Sequence, residues 1–510
     1  MSRYDGVIAT RRFGLGARPG DIAAIGGDSR DYLLAQLSKP EAALLRDAAL
    51  RPSHEVIADF MRARLADQEL RKGRPPKGRP PGAPAPEPQP QAGQQMAPMA
   101  GMSANGMDRT PASPAAEGPF PAMTRTGPAA GKAKRPLTNR GQIRRDVWQA
   151  EIEARVHHAT TTDAAFLERL VMFWSNHFAV AARKSGLVRV TAGAFEREAI
   201  RPHVLGRFAD MALAVEKHPA MLFYLDNFNS VGPNSKAGRR RAKGLNENLA
   251  REMLELHTVG VDAGYTQTDV TNLARILTGW TVPGLKQNRF EPGKFAFTPA
   301  RHEPGAWTVL GKSYPDRGIA SGEQVIADLA RHPATARHIA RKFAAHFVAN
   351  PPPPGLVAKL EKTFRDTDGD LGQLARALFT HDEAWNLPPK KLLPPYDFLI
   401  ASLRAFATPV PARAVAHLSA ALGQPIWNPP SPKGWPEDDD VWMAPSSIRE
   451  RLRIAGQFAA PAAAKADPVA RARDLLAGAI TPAEMQAIAR AESRLQGTEI
   501  LMMSPSFQRR

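Results

Sequence analysis

Apolar residues recur at three- and four-residue spacing along most of this chain, the spacing of one face of an α-helix. His54–Leu70 shows it with Val56, Phe60, Leu65 and Leu70. Shorter helical patterns precede it at Asp21–Ile25, Arg30–Gln36 and Pro40–Leu50. Later, the amphipathic run Arg140–His157 leads into the more apolar Asp163–Phe178, which is predicted to enter the core. Helical patterns continue at Ala192–Leu205, Arg207–Lys217, Pro219–Leu225, Asn246–Thr258, Thr268–Thr278, Ser321–Ala330 and Pro333–Ala349. Others follow at Leu356–Asp366, Asp370–Phe379, Tyr396–Ala405, Ala412–Leu422, Ser446–Phe458, Pro468–Leu476 and Pro482–Leu495. Most open on Ser, Thr, Asp or Pro, the residues that start helices. Strand signal is confined to Lys294–Thr298 and Trp307–Leu310, which predict a hairpin through Pro304–Gly305. No fixed-period repeat indicates a solenoid.

The helical pattern fails between Arg74 and Pro136, where 15 of 63 residues are proline and five are methionine. Such a stretch buries too little to offset its ordering entropy, so a disordered or polyproline-like insertion is predicted. The expected organisation is an N-terminal helical segment (1–72), the insertion (73–137) and a main helical domain (138–510) on which the first segment packs. The fold class is mainly α, with one small β-hairpin.

Composition then excludes chemistry. The 510 residues include no cysteine. Disulfides, thiolate metal sites, cysteine-ligated iron–sulfur clusters and a cysteine nucleophile are therefore out. The 68 Lys+Arg exceed the 50 Asp+Glu by 18, which suits an anionic partner. The basic residues are dispersed, apart from Lys236–Lys243 (KAGRRRAK). With no aromatic interleaving, zinc-finger or recognition-helix pattern, nucleic acid is not favoured. No apolar run approaches the roughly 18 residues of a membrane helix, so no transmembrane segment is expected. Arg11 and Arg12 lack a following apolar export region, so the chain reads as cytoplasmic as written.

No Walker loop, Rossmann glycine fingerprint, nucleophile elbow or H-E-x-x-H occurs. Nothing indicates a nucleotide, flavin or haem. Asp366–Asp370 (DTDGD) imitates a calcium loop, but its glycine is misplaced and no glutamate closes it, so it reads as a helix cap.

The densest polar cluster is Asn246–His257 (NENLAREMLELH). On a helix Asn248, Glu252 and Glu255 share a face, while Glu247, Arg251 and Glu255 step by four along another. Glu252, Glu255 and His257 are the catalytic candidates, and with His177 and His302 they are the candidate ligands of a divalent metal. The plain alternative is a solvated Glu–Arg face. In FWSNHFAV, Trp174, Asn176 and His177 interrupt an apolar helix, and a buried histidine there needs a partner. Asp226 and Asn227 end HPAMLFYLDN, where capping and chain reversal are the plain reading. His302 and Glu303, with Lys312 beyond, are expected to be exposed turn polarity. QPIWNPPSPKGWP is a proline-restrained loop whose Trp427 and Trp435 either line a cleft or plug a core edge. With Asn246, Arg251 and Trp280, these residues complete the candidate pocket set.

Taken in order, RRFGLGARPG, FWSNHFAV, HPAMLFYLDN, NENLAREMLELHTVGVDAGYTQTDV, LARILTGW, the H-E-P-G turn, RHPATARHIARKFAAHFV and QPIWNPPSPKGWP resemble the bacterial DUF1800 family. The resemblance covers the chain apart from the insertion. It implies a mainly helical protein without an established activity. It implies as partner a phosphatase- or sulfatase-like protein encoded nearby. It also implies a periplasmic or secreted alternative, since many members carry export signals. This chain departs in lacking an evident signal and in its long insertion. Two functions follow as expectations: a metal-assisted hydrolase with a polar central pocket, or a non-catalytic binding partner for a protein or an anionic glycan or surface.

Overall fold

Residues at the predicted helix starts do cap helices. Asp370 accepts the Gln373 amide at 2.8 Å, so the DTDGD run is a cap. Thr266 with Asp269 and Thr481 with Glu484 form reciprocal capping boxes. The computed structural model describes residues 3–72, 139–240, 244–287 and 289–510. The insertion expected at 73–137 lies outside them, as do residues 241–243 of the basic run.

Among the described residues there are 23 α-helices and two small antiparallel sheets. The elements that build the site are α1 (Arg140–Thr161), α2 (Ala165–His177), α3 (Gly186–Phe195), α4 (Phe208–Lys217) and α5 (Asn248–Glu252). They continue with α6 (Pro333–Phe347), α7 (Pro395–Phe406), α8 (Ala412–Ala421) and α9 (Pro445–Ala463). Helices α3 and α5 each run on into a single π-helical turn, Glu196–Ile200 and Met253–His257.

One compact unit contains residues 1–64 together with 134–510. A second, Leu65–Ala133, contributes only the last turns of Ser53–Lys72 to the described residues. Within the first unit, α2 and α6 bury Phe166, Phe173, Trp174, Phe343 and Phe347 in the larger apolar core. Ile8, Phe13, Leu33 and Ile57 from the N-terminal segment belong to that same core. Phe13 meets Phe379 and Trp385 with ring centroids at 5.4 and 5.1 Å. A second core surrounds α7, where Phe398, Leu399 and Ile400 meet Ile152 and Val156 of α1 and Ile454 and Phe458 of α9.

The strand pairing differs from the expected hairpin. Ala296–Phe297 pairs with Trp280–Thr281, and Trp307–Val309 pairs with Lys312–Tyr314. Leu310 (φ 48°) and Gly311 (φ 76°) are both left-handed, so the second strand turns back within two residues. Its partner is then the strand just after it.

Charge is buried to an unusual depth. Arg12, Arg169, Arg201, Arg451 and Arg510 are each almost wholly inaccessible. Arg12 donates to the Ala384 and Leu387 carbonyls at 2.8 and 2.6 Å, and Arg11 donates to Arg509 and Phe507 carbonyls. The twin arginines thus tie the N-terminal segment to distant chain. Glu196, at the start of the π-turn after α3, lies 2.8 Å from Arg201 and 3.1 Å from Arg155. Arg201 also bonds Glu168 at 2.6 Å. Burial pushes the Glu196 carboxyl up, but Arg155 and Arg201 overcome this and hold it below the usual carboxylate range.

Removing one member of such a network strands the others in low dielectric. Glu196→Ala is expected to lower the unfolding free energy by about 3–5 kcal/mol in urea denaturation. A loss below about 1 kcal/mol would show the buried charges to be independent of one another.

Candidate functional site

The Asn246–His257 helix has the plain arrangement, not the metal one. Arg251 lies 3.3 Å from Glu247 and 3.5 Å from Glu255, an i,i+4 ladder on the surface. Asn246 caps the start by accepting the Asn248 amide at 2.9 Å, and Asn248 is exposed. Glu252 is half-buried, and burial raises its carboxyl above the usual range. His257 turns the other way, into the core, where its Nδ1 lies 2.6 Å from Glu216 of α4. The chain is π-helical over Met253–His257, so the last turn departs from α-helical spacing.

The remaining predicted ligands do not join them. His177 Nε2 donates to the His257 carbonyl at 3.0 Å, which leaves Nδ1 to accept from Lys342 Nζ at 2.9 Å. His302 lies between the Thr278 carbonyl (2.9 Å) and Asp316 (3.2 Å). Among the described residues no group of three or more His, Asp or Glu side chains is placed to hold a metal ion. Glu252, Glu255, His257, His177 and His302 accordingly form no such group, although His177 touches the His257 backbone.

His302 and Glu303 are also not exposed turn residues. Both are buried, and Glu303 accepts from the Asn234 amide and side chain at 2.8 and 2.6 Å. Asp226 adopts a left-handed turn (φ 59°) and pairs with Lys184. Asn227 donates to the Leu277 and Trp280 carbonyls, both at 3.3 Å. Trp174 and Trp280 are core residues.

Three predicted residues do meet at a cavity: Asn176, Trp427 and Trp435. It lies between α2, α7 and the loop after α8, with a volume of about 100 Å³. That exceeds the roughly 10–15 Å³ needed by one water. Asn176 clamps the loop in both directions, donating to the Trp435 carbonyl at 2.9 Å and accepting its amide at 2.7 Å. Trp427 holds a left-handed backbone (φ 50°) and donates Nε1–H to Glu196 at 2.9 Å. The buried charge network therefore sets the position of the cavity wall. Gly434 (φ 84°) leaves no room for a side chain, since a Cβ would sit 2.4 Å from the Asn176 carbonyl oxygen.

The polar lining comes mainly from residues the sequence did not single out. His346, near the end of α6, is buried and lies 2.7 Å from Glu437 through Nδ1. Its Nε2 is buried without a hydrogen-bond partner. The other Glu437 oxygen accepts from Lys391 at 2.8 Å. Burial pushes the Glu437 carboxyl up, yet His346 and Lys391 outweigh it and hold the group well below the usual range. Glu437 is thus ionised and accepts the Nδ1–H of His346. Tyr396 Oη and all three guanidinium nitrogens of Arg510 are likewise buried without hydrogen bonds. Asp397 Oδ2 is 3.6 Å from Arg510 and is already bonded to Arg169 at 2.9 Å.

No spacing rule could have joined His346, Glu437 and Arg510, which lie far apart in sequence. The usable signal was local: RKFAAHF puts one histidine on an apolar helix face, and KGWPE puts a glutamate just beyond the rigid loop.

A family model described as protein of unknown function (DUF1800) matches residues 8–509. No curated protein and no solved structure matches the chain. No helix among the described residues is long and apolar enough to cross a membrane.

Two predictions follow from the geometry around the loop. Gly434→Ala is expected to detach the loop from α2 and speed backbone amide exchange at 427–436. Unchanged exchange would mean that Asn176 can move aside. The second concerns Lys342, whose ammonium is lowered to about 8 by burial and the nearby Lys433, against the pull of Glu437. Between that value and the ordinary lysine range the unfolded chain holds a proton that the folded one has lost. Stability should therefore rise with pH from about 8 to 10.5, and Lys342→Met should remove that rise in thermal midpoints measured across the window.

Proposed function

This chain belongs to the DUF1800 family, and we propose that its cavity is the active site of a hydrolase acting on the anionic end of a small substrate. The observation that carries this reading is the His346 Nε2, buried and unpartnered in a cavity-lining residue whose Nδ1 is held by an ionised carboxylate. An imidazole held in that way by a carboxylate has the arrangement of a general base. Nε2 would take a proton from water as its oxygen attacks an ester carbonyl. The imidazolium, stabilised by Glu437, would then return the proton to the departing alcohol. Arg510, whose guanidinium faces Asp397 at 3.6 Å but makes no hydrogen bond, supplies donors for a substrate carboxylate or phosphate, and Tyr396 supplies a hydroxyl donor. The role is placed on His346 and not on Glu252, Glu255 and His257 because His346 lines the cavity with an unpartnered ring nitrogen.

The second reading, binding without chemistry, rests on the same Arg510 guanidinium. Variants separate the two. With a panel of p-nitrophenyl esters bearing a free carboxylate or phosphate, the wild type should turn over at least one. His346→Gln and Glu437→Gln should each lower kcat by about 10²–10⁴-fold while leaving binding of the corresponding free acid within a few fold. Arg510→Met should weaken that binding instead. Binding that persists in His346→Gln when the wild type turns over nothing on the panel would favour the purely binding reading.

A further inference from the structure

On the far side of the cavity wall, α1, α3 and α8 enclose a groove of about 440 Å³. Arginine dominates its lining: Arg144 and Arg145 from α1, Arg189 from α3 and Arg413 from α8. Steps of three and four along α1 place Arg144, Arg145 and Trp148 on one face. No aspartate or glutamate lines the groove. Among the described residues no carboxylate forms an ion pair with Arg144, Arg145 or Arg189. Elsewhere in the molecule arginines are heavily paired, as Arg155, Arg169 and Arg201 show. Like charges gathered on one concave surface repel, and low-dielectric walls strengthen the field. Such a cluster is relieved by an anion of matching charge density.

We propose that this groove is a binding site for a compact polyanion carrying two or more adjacent phosphate or sulfate groups. Guanidinium groups suit this chemistry because each offers paired N–H donors to two oxygens of one tetrahedral anion. The volume is that of a small-ligand pocket, not of a surface tracking a polymer. Trp148 argues against base stacking. Arg189 covers its ring with the guanidinium carbon 5.0 Å from the centroid, and Trp427 meets it edge to face at 5.3 Å. The indole thereby serves as a platform that holds Arg189 in place. The site is separate from the His346 cavity and stands whether or not that cavity is catalytic.

Isothermal calorimetry on the full chain tests it with two probes, inorganic triphosphate and a trisulfated disaccharide. At least one should bind with 1:1 stoichiometry at about 50 mM salt and weaken steeply as salt rises. Arg144→Ala with Arg145→Ala should reduce affinity at least tenfold, and Arg189→Ala should reduce it severalfold. These side chains are exposed, so the variants should keep the wild-type thermal midpoint. A control removing equal charge elsewhere, Lys359→Ala with Arg376→Ala, should change affinity less than twofold. Preference for triphosphate would assign the ligand to phosphate chemistry, and preference for the disaccharide to sulfated sugars. Equal weakening by the groove and control variants, or no binding of either probe, would overturn the proposal. So would a single-stranded oligonucleotide that binds far more tightly than both probes through the same arginines.

Discussion

Glu196 is the contact on which the rest of the structure depends. Its two oxygens receive Arg155 from α1, Arg201 from the end of its own π-turn, Ser175 from α2 and Trp427 from the loop after α8. Four separate stretches of chain are thereby referred to one buried carboxylate. A carboxylate costs several kcal/mol to desolvate, so its position is tolerated only while those donors stay in place. The constraint is stiff, and it sets where Trp427 stands and hence where the cavity opens.

That stiffness explains how an irregular loop forms a fixed cavity wall. Asn176 bonds the Trp435 backbone in both directions, and Gly434 lets the two chains approach closely. The left-handed turn at Trp427 is strained for a residue with a side chain, and its indole bond to Glu196 offsets the strain. Glu437 follows directly on this loop, so the clamp that positions Trp435 also delivers the carboxylate to His346. The fixed placement of Glu437 against His346 is therefore a by-product of the buried charge network.

The arginines divide into two populations with different physics. Those in the core donate to carbonyls and carboxylates that tie distant segments together, as Arg11, Arg12, Arg169 and Arg404 do. Arg144, Arg145 and Arg189 of the groove lie exposed on helix faces and form no ion pair with a carboxylate among the described residues. A net charge of +18 gave no hint of this division, since composition counts both alike. Trp148 and Trp427, in contact with each other, form a shared wall between groove and cavity.

Local rules made the helices legible. Periodicity placed α1, α2, α6 and α7, and the Asp370 cap followed from its residue type, because capping and amphipathicity are decided within a few residues. The Glu247–Arg251–Glu255 ladder was legible for the same reason. The strand partners were misjudged because Leu310 entered a left-handed turn that its identity does not announce. The cavity lining was read only in part. Asn176, Trp427 and Trp435 stood out as polar or aromatic residues in constrained positions, whereas Glu252, Glu255 and His257 were grouped by nearness along one helix, from which His257 turns into the core toward Glu216. His346, Glu437, Arg510 and the groove arginines come from elements that meet only on folding. The sequence by itself determined a mainly helical chain with dispersed positive charge and no thiol chemistry. Tertiary structure alone decided which charges are neutralised and which face a cavity, because pairing depends on distance in space and not along the chain.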